Sequence, residues 1–282
     1  MTALSASVRS LRTRIKTSAL IVSVFAALSA PAAQADAPVF SYKVTGKLQQ
    51  PRENFVQGLQ IIDGQLYVST GNYGQSKLLR YRLSDGQFLD GRSLDERLFG
   101  EGLTLFDDKI YQLTWKSGLV LVYDKTTLDG LEYFRVPGQG WGITNNGKDL
   151  IYSDGSHRLH FLSPQSKSIS RTIEVMENGR PLSHLNELEW IEGQIWANVW
   201  QSDRIVMIDP DTGTVTASID LKGLLPASER QSSTDVLNGI ALNPDDKSIW
   251  VTGKRWPWLY QIELQAPAET DKQSEAPRDD SR

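Results

Sequence analysis

Residues 36–264 spell out an all-β chain, a five-bladed β-propeller whose fifth blade is closed by the N-terminal strand. Three observations predict it. One segment recurs five times, roughly every 40 to 50 residues, the period of repeat architectures. Within each recurrence apolar and polar residues alternate over short runs, as half-buried strands require. Turn signals separate the runs, and almost nothing between them reads as helix.

The recurrences open at Gln57-Gly58-Leu59, Glu101-Gly102-Leu103, Trp141-Gly142-Ile143, Asn186-Glu187-Leu188 and Asn238-Gly239-Ile240. A second anchor follows at Leu66-Tyr67, Ile110-Tyr111, Leu150-Ile151, Ile195-Trp196 and Ile249-Trp250, nine residues on in four repeats and eleven in the last. Between the anchors stand Asp63-Gly64, Asp107-Asp108, Asn146-Gly147, Glu192-Gly193 and Asp245-Asp246, where a hairpin needs positive φ or an Asx turn. Third strands follow, such as Leu119–Tyr123 and Arg204–Ile208, and a fourth, such as Val215–Leu221. A short helix is expected near Pro226–Arg230. The last repeat stops after its third strand, Leu259–Leu264, while the spare strand Phe40–Val44 precedes the first repeat. Pairing these two completes the fifth blade and leaves fewer open edges. The regular spacing argues against a pair of β-sandwiches.

In a propeller the first strand of each repeat lies innermost, so the starts of these strands crowd one mouth of the channel. Antiparallel pairing brings the end of the second strand to the same mouth. Two rings of residues follow: Gln57, Glu101, Trp141, Asn186 and Asn238; and, five residues beyond the second anchor, Gly71, Trp115, Gly155, Trp200 and Lys254. Together they hold one carboxylate, one ammonium and three indoles among amides, the makeup of a small-molecule site. A carboxylate among indoles holds its proton longer than in water, which suits acid/base work near neutral pH. Lys254 and Asn186 are donors suited to a developing oxyanion.

The flanks carry different messages. Arg9, Arg12, Arg14 and Lys16, the apolar run Ser18–Leu28 and Ala33-Gln34-Ala35 read as a signal peptide over 1–35, so the mature protein is expected in the periplasm or secreted, off the membrane after cleavage. The apolar run is short for a membrane span. Residues 265–282, rich in Ala, Pro, Glu, Asp, Gln and Ser, read as a disordered acidic tail. The chain has no cysteine, which excludes disulfides, thiol nucleophiles and Cys-ligated metal. The segment 1–35 has four basic and no acidic residues, so the remainder carries a net charge of −8, with no Lys/Arg block of the kind that binds nucleic acid. The three histidines make no metal site. His157 and His160 lie three apart on an expected strand and face opposite ways, and His184 stands isolated in a polar loop. No nucleophile-elbow pattern supports Ser-His-Asp chemistry.

The motifs also carry a family resemblance. Asn54-Phe55-Val56-Gln57-Gly58-Leu59, Phe99-Gly100-Glu101-Gly102-Leu103-Thr104, Gln112-Leu113-Thr114-Trp115, Leu185-Asn186-Glu187-Leu188-Glu189-Trp190, Trp196-Ala197-Asn198-Val199-Trp200 and Val251-Thr252-Gly253-Lys254 occur in order. From about residue 40 to 264 the chain resembles the plant-type glutaminyl-peptide cyclotransferases, a family that also occurs in bacteria. The resemblance implies a five-bladed propeller enzyme, an acyltransferase that converts N-terminal glutamine of peptides or proteins to pyroglutamate and ammonia. It implies Glu101 as catalytic acid/base, with Asn186 and Lys254 around the scissile amide. Trp115, Trp141 and Trp200 wall the pocket, and Phe55, Gln57 and Phe99 line its edge. It implies no cofactor and no catalytic metal; an ion in the central channel would be structural. A closed propeller of this kind is expected to work as a monomer. The alternative from another class is a non-catalytic propeller that binds an exported peptide or glycan through the indoles. Such a module needs the indoles but not the Glu101–Lys254 pair.

Overall fold

A computed structural model describes residues 36–267. The segments read as signal peptide and as most of the acidic tail lie outside the described residues. The described chain is all-β, with one 3-10 turn, Ala227–Glu229, where a short helix is expected.

The strands form five groups. β1 (Val39–Gln49) comes first in the chain. The first group is β2 (Val56–Ile62), β3 (Gln65–Thr70), β4 (Lys77–Arg82) and β5 (Phe88–Ser93). The second is β6 (Gly100–Phe106), β7 (Lys109–Thr114), β8 (Leu119–Asp124) and β9 (Gly130–Arg135). The third is β10 (Ile143–Asn145), β11 (Leu150–Ser153), β12 (Arg158–Leu162) and β13 (Ile169–Glu174), followed by a small unforeseen hairpin of β14 (Met176–Glu177) and β15 (Arg180–Pro181). The fourth is β16 (Leu185–Ile191), β17 (Gln194–Val199), β18 (Arg204–Ile208) and β19 (Val215–Asp220). The fifth is β20 (Leu237–Leu242), β21 (Ile249–Gly253) and β22 (Trp258–Gln265), the last reaching one residue into the expected tail. Each group is an antiparallel meander. The arrangement is consistent with a β-propeller.

β1 is longer than the expected Phe40–Val44. It pairs antiparallel with β22 from Ser41–Gln265 to Gln49–Trp258. Its first residues also pair in parallel with β19, Val39 with Ser218 and Phe40 with Ile219, which the sequence pattern does not announce. One strand thus fuses the fourth and fifth groups into an eight-stranded sheet. Its effect shows in burial: β5 and β9 are largely exposed edges, whereas β19 is mostly buried.

The apolar residues fall into five clusters, each between consecutive groups. Tyr67 and Leu78 meet Leu103 and Ile110, Leu113 and Val120 meet Ile143 and Tyr152, and Ile151 and Phe161 meet Leu188 and Ile195. Ile205 and Met207 meet Ile240 and Trp256. Leu259 and Ala241 of the fifth group then meet Val56 and Leu59 of the first. The first strands lie within this packing and are buried nearly throughout; in β6 every residue is buried. That is why they read as continuous apolar and small residues rather than as alternation.

Successive first strands approach backbone to backbone. A Cβ on Gly58 would stand 2.4 Å from Leu103 N, one on Gly102 2.6 Å from Ile143 N, and one on Gly142 2.0 Å from Asn186 O. The fourth repeat has Glu187 at this register instead. Its carboxylate reaches across to accept Leu59 N–H at 3.2 Å and Ile240 N–H at 2.8 Å. Two residues on, Glu189 accepts Leu242 N–H at 3.1 Å.

Gly142→Ala should cost about 3 kcal/mol or more, since the clash is with backbone that cannot rotate away; thermal melting measures it. Glu189 is pushed up to about 8, chiefly by burial, against its backbone hydrogen bonds. A folded-state pKa raised above the unfolded one gives stability that is whole below the ordinary carboxylate range and lost as pH rises toward 8. The melting temperature should therefore fall across that window, and Glu189→Gln should flatten the fall.

Candidate active site

Four of the five first strands carry a β-bulge at their start, between Val56 and Gly58, Gly100 and Leu103, Leu185 and Leu188, and Leu237 and Ile240. Gln57, Glu101, Asn186 and Asn238 sit inside these bulges. A bulge breaks the two-residue alternation and re-aims a side chain. The backbone at three of the four is clamped by the preceding group. Ser69 donates its hydroxyl to Glu101 O, Ser153 does so to Asn186 O at 2.7 Å, and Asn198 Oδ1 accepts Gly239 N–H at 2.9 Å. These three occupy one register, three residues after the second anchor. Ser69 is itself held by Gln112 Nε2 at 2.7 Å, and Gln112 by the Tyr123 hydroxyl at 3.0 Å.

The second ring follows the second strands. The N–H of Gly71, Trp115, Trp200 and Lys254 bonds the carbonyl of Phe55, Phe99, His184 and Val236 respectively, at 2.9 to 3.0 Å. This bond ties the end of four of the second strands to the approach of the first strand in the same group, so both rings share one mouth. There they enclose a cavity of about 420 Å³. Glu101, Asn186, Lys254 and Gln57 line it, as do Trp115, Trp141 and Trp200, with Phe55 and Phe99. All nine residues singled out from sequence are thus brought together.

Three ring members do not line the cavity. Asn238 is fully buried beneath it, donating to Val56 O and to Gln57 Oε1. Gly71 and Gly155 leave room for aromatic rings: a Cβ on Gly71 would meet Phe99 at 2.3 Å, and one on Gly155 would meet Trp141 at 2.5 Å. Six lining residues fall outside the two registers: Phe55 and Phe99, which the family resemblance implies, and Asn72, Gln201, Asp235 and Val236, which the sequence did not single out. A third register, two residues before the first ring, holds Phe55, Phe99 and Val236. A fourth, one residue past the second ring, holds Asn72 and Gln201, both at positive φ. Asp235 sits in a loop with no repeat signal. His184 shares the register of Phe55 and Phe99. It lies in an exposed loop, as the sequence suggests, and its ring meets Trp200 edge-on with centroids 5.8 Å apart.

The aromatic walls are edge-to-face assemblies, the favoured geometry for such rings. Phe99 contacts Phe55 at 6.2 Å and Trp115 at 5.5 Å, and Trp141 contacts Trp200 at 5.4 Å. The walls keep water from the two ionisable groups. Glu101 is 4% exposed and Lys254 5%. Burial raises the Glu101 carboxyl well above the ordinary carboxylate range, with the Lys254 charge opposing. Burial lowers Lys254, with Glu101 and then Asp235 opposing. The Lys254 ammonium lies 5.1 Å from the Phe55 ring centroid, a cation–π distance. An acid that titrates high and an ammonium that titrates low, lining one aromatic cavity and acting on each other's charge, are groups whose properties suit proton transfer.

An all-β frame with one buried acid, one buried ammonium and amide donors inside an aromatic cavity is the makeup of an enzyme site for a small polar group. The comparisons with known proteins agree. A family model described as glutamine cyclotransferase matches residues 17–264, starting upstream of the motifs. Glutaminyl-peptide cyclotransferase of Arabidopsis thaliana is 38% identical over 228 residues, covering 79% of this chain and 71% of that protein. The crystal structure of Myxococcus xanthus glutaminyl cyclase matches with a TM-score of 0.77 at 31% identity, covering 83% of this chain and all of that one. The chain belongs to the glutamine cyclotransferase family.

Lys254→Met should move the Glu101 titration further up, because the one charge holding it down is gone. The ionisation of the carboxyl, followed by 13C NMR or difference infrared spectroscopy, reads the shift.

Proposed function

We propose that the protein is a glutaminyl-peptide cyclotransferase that closes the N-terminal glutamine of peptides or proteins to pyroglutamate and releases ammonia. The observation that carries this reading is the Glu101–Lys254 pair, buried together among indoles and flanked by the amides of Asn186 and Gln57. A binding module needs only the indoles. The five strand groups are read as five propeller blades, the fifth completed by β1, with the cavity at the channel mouth. The match to the Myxococcus xanthus enzyme supports that reading.

The reaction is intramolecular. The neutral α-amine attacks the carbon of its own side-chain carboxamide, forming the lactam C–N bond. The tetrahedral intermediate then expels the carboxamide nitrogen. Holding the folded conformer that brings amine to carbon supplies much of the acceleration. The Trp115, Trp141 and Trp200 walls do this by enclosing the aliphatic part of the residue. Lys254 and Asn186 donate to the oxygen that becomes negative, each contribution on the order of 2–4 kcal/mol. Glu101 takes the proton from the attacking amine and delivers it to the departing nitrogen, which leaves as ammonia rather than as the far poorer amide anion. The raised pKa of Glu101 suits both halves of this shuttle.

No cofactor is needed for these steps. Around Glu101 stand indole and phenyl rings, amides and an ammonium. The two carboxylates that line the cavity, Glu101 and Asp235, both face the charge of Lys254, so a cation would have to sit beside that ammonium, a poor divalent-metal site. An ion in the channel beneath would be structural; the channel carboxylates Glu187 and Glu189 already accept backbone N–H bonds. The basic–apolar–AQA pattern of 1–35 supports export, and the mature protein is taken to act as a monomer on exported peptides.

Glu101→Gln should give a folded protein with almost no ammonia release from a Gln-initiated dipeptide, with the N-acetylated dipeptide as the blank; wild-type release by the variant removes Glu101 from the mechanism. Chelator treatment should leave turnover unchanged. Loss of activity restored by added metal would reject the metal-free scheme.

A further inference from the structure

Asn238 opens the fifth repeat as Gln57 opens the first, yet it lies under the cavity rather than in it. Its Nδ2 donates to Val56 O at 3.1 Å and to Gln57 Oε1 at 3.2 Å. The first bond fixes the second. A backbone carbonyl accepts only, so the Asn238 amide must present its NH2 to Val56. With Asn238 so oriented, Gln57 must present its oxygen. The Asn238 Oδ1 is left buried without a partner. That cost would be relieved if a flipped amide were better, yet flipping would set Oδ1 against Val56 O.

The consequence lies one residue away. With Gln57 Oε1 engaged below, its NH2 is left to the cavity that Gln57 lines, and among the described residues no protein acceptor takes it. Gly71 lets the side chain extend: a Cβ there would come within 3.1 Å of Gln57 Cγ. The packing of first strands sets what this donor stands between. β2 packs against β20 on one side and β6 on the other. Gln57 therefore lies between the group that carries Lys254 and the strand that carries Glu101. Asn186, Lys254 and Gln57 come from consecutive groups and make an unbroken arc of donors ending at the acid. The indoles of Trp115 and Trp141 face it from the other groups.

We propose that Asn238 is a positioning residue: by holding Gln57 Oε1 it turns the Gln57 NH2 into the cavity as a third donor to the carboxamide oxygen of the substrate. This rests on the cyclotransferase reading. It makes Gln57 a participant in the oxyanion site rather than part of the pocket edge. It also gives the site a preference for a hydrogen-bond acceptor at that point, with the amide unable to turn and offer its oxygen instead.

A double-mutant cycle tests it, with turnover normalised to the folded fraction from thermal melts. Gln57→Leu should lower kcat on the order of 100-fold, the loss of one oxyanion donor. Asn238→Ala should lower kcat by about tenfold or more, and Asn238→Asp, which keeps the volume but reverses the hydrogen-bond polarity, by at least as much. In the Gln57→Leu background neither should lower it further, because both act through Gln57. Losses that multiply, or Asn238 variants with wild-type kcat, overturn the proposal. Gln57→Glu gives a readout that leaves Asn238 untouched. It keeps an acceptor for Asn238 and replaces the NH2 by oxygen, so kcat should fall at least as far as in Gln57→Leu. Turnover like that of the wild type in Gln57→Glu overturns the proposal however the Asn238 variants fold. The unmodified protein is assayed first: absence of ammonia release there sinks the cyclotransferase reading, whereas release followed by a multiplicative cycle sinks only the role of Asn238.

Discussion

The structure depends on how closely its innermost strands approach one another. Gly58, Gly102 and Gly142 bring backbone against the backbone of the next first strand, at separations where a methyl group has no room. Glu187 breaks the series and replaces contact by a bridge, its two oxygens on Leu59 N and Ile240 N. Backbone contact and carboxylate bridge do the same job by different means. Each fixes one strand group relative to others before any side chain of the cavity is considered. The cost is a pair of buried carboxyls, Glu187 and Glu189, both raised by burial.

That tight inner packing is also what makes the site. A regular strand would alternate its side chains between the faces of the sheet. The bulges at Gln57, Glu101, Asn186 and Asn238 interrupt the alternation, and Ser69, Ser153 and Asn198 hold three of them from the neighbouring group. The functional groups therefore stand on backbone that is pinned twice, by its own second strand and by the group before it. Rigid placement of this kind suits a reaction whose main demand is to hold two parts of one residue together. The same scaffold carries different residues at equivalent positions, and the proposed chemistry enters where the repeats disagree: Glu101 in one, Asn186 in another, Lys254 in a third.

Much of this was legible in the chain. Strand content, the five recurrences, the spare N-terminal strand and seven of the nine pocket residues follow from a register that any reader can count; Phe55 and Phe99 come from the family resemblance. The reading worked because a repeat maps sequence phase onto spatial position, so that residues 44 or 150 apart become neighbours. It missed Asn72, Gln201 and Val236, which sit in adjacent registers, and Asp235, whose loop has no register at all. It placed Asn238 wrongly: Asn238 has the phase of a cavity residue but lies beneath Gln57. His184 is in the loop where the sequence put it, and its ring meets Trp200 edge-on, a packing contact that the sequence does not name.

Periodicity thus fixed the strands, their order and seven of the side chains at the mouth, because those depend on local alternation and on counting along the chain. It could not fix the parallel pairing of β1 with β19, the reach of Glu187 across the first strands, or which way the Gln57 amide faces. These are set by contacts between residues some 50 to 180 positions apart. Such contacts depend on depth, bulge geometry and the polarity of a single carbonyl, none of which leaves a period in the sequence.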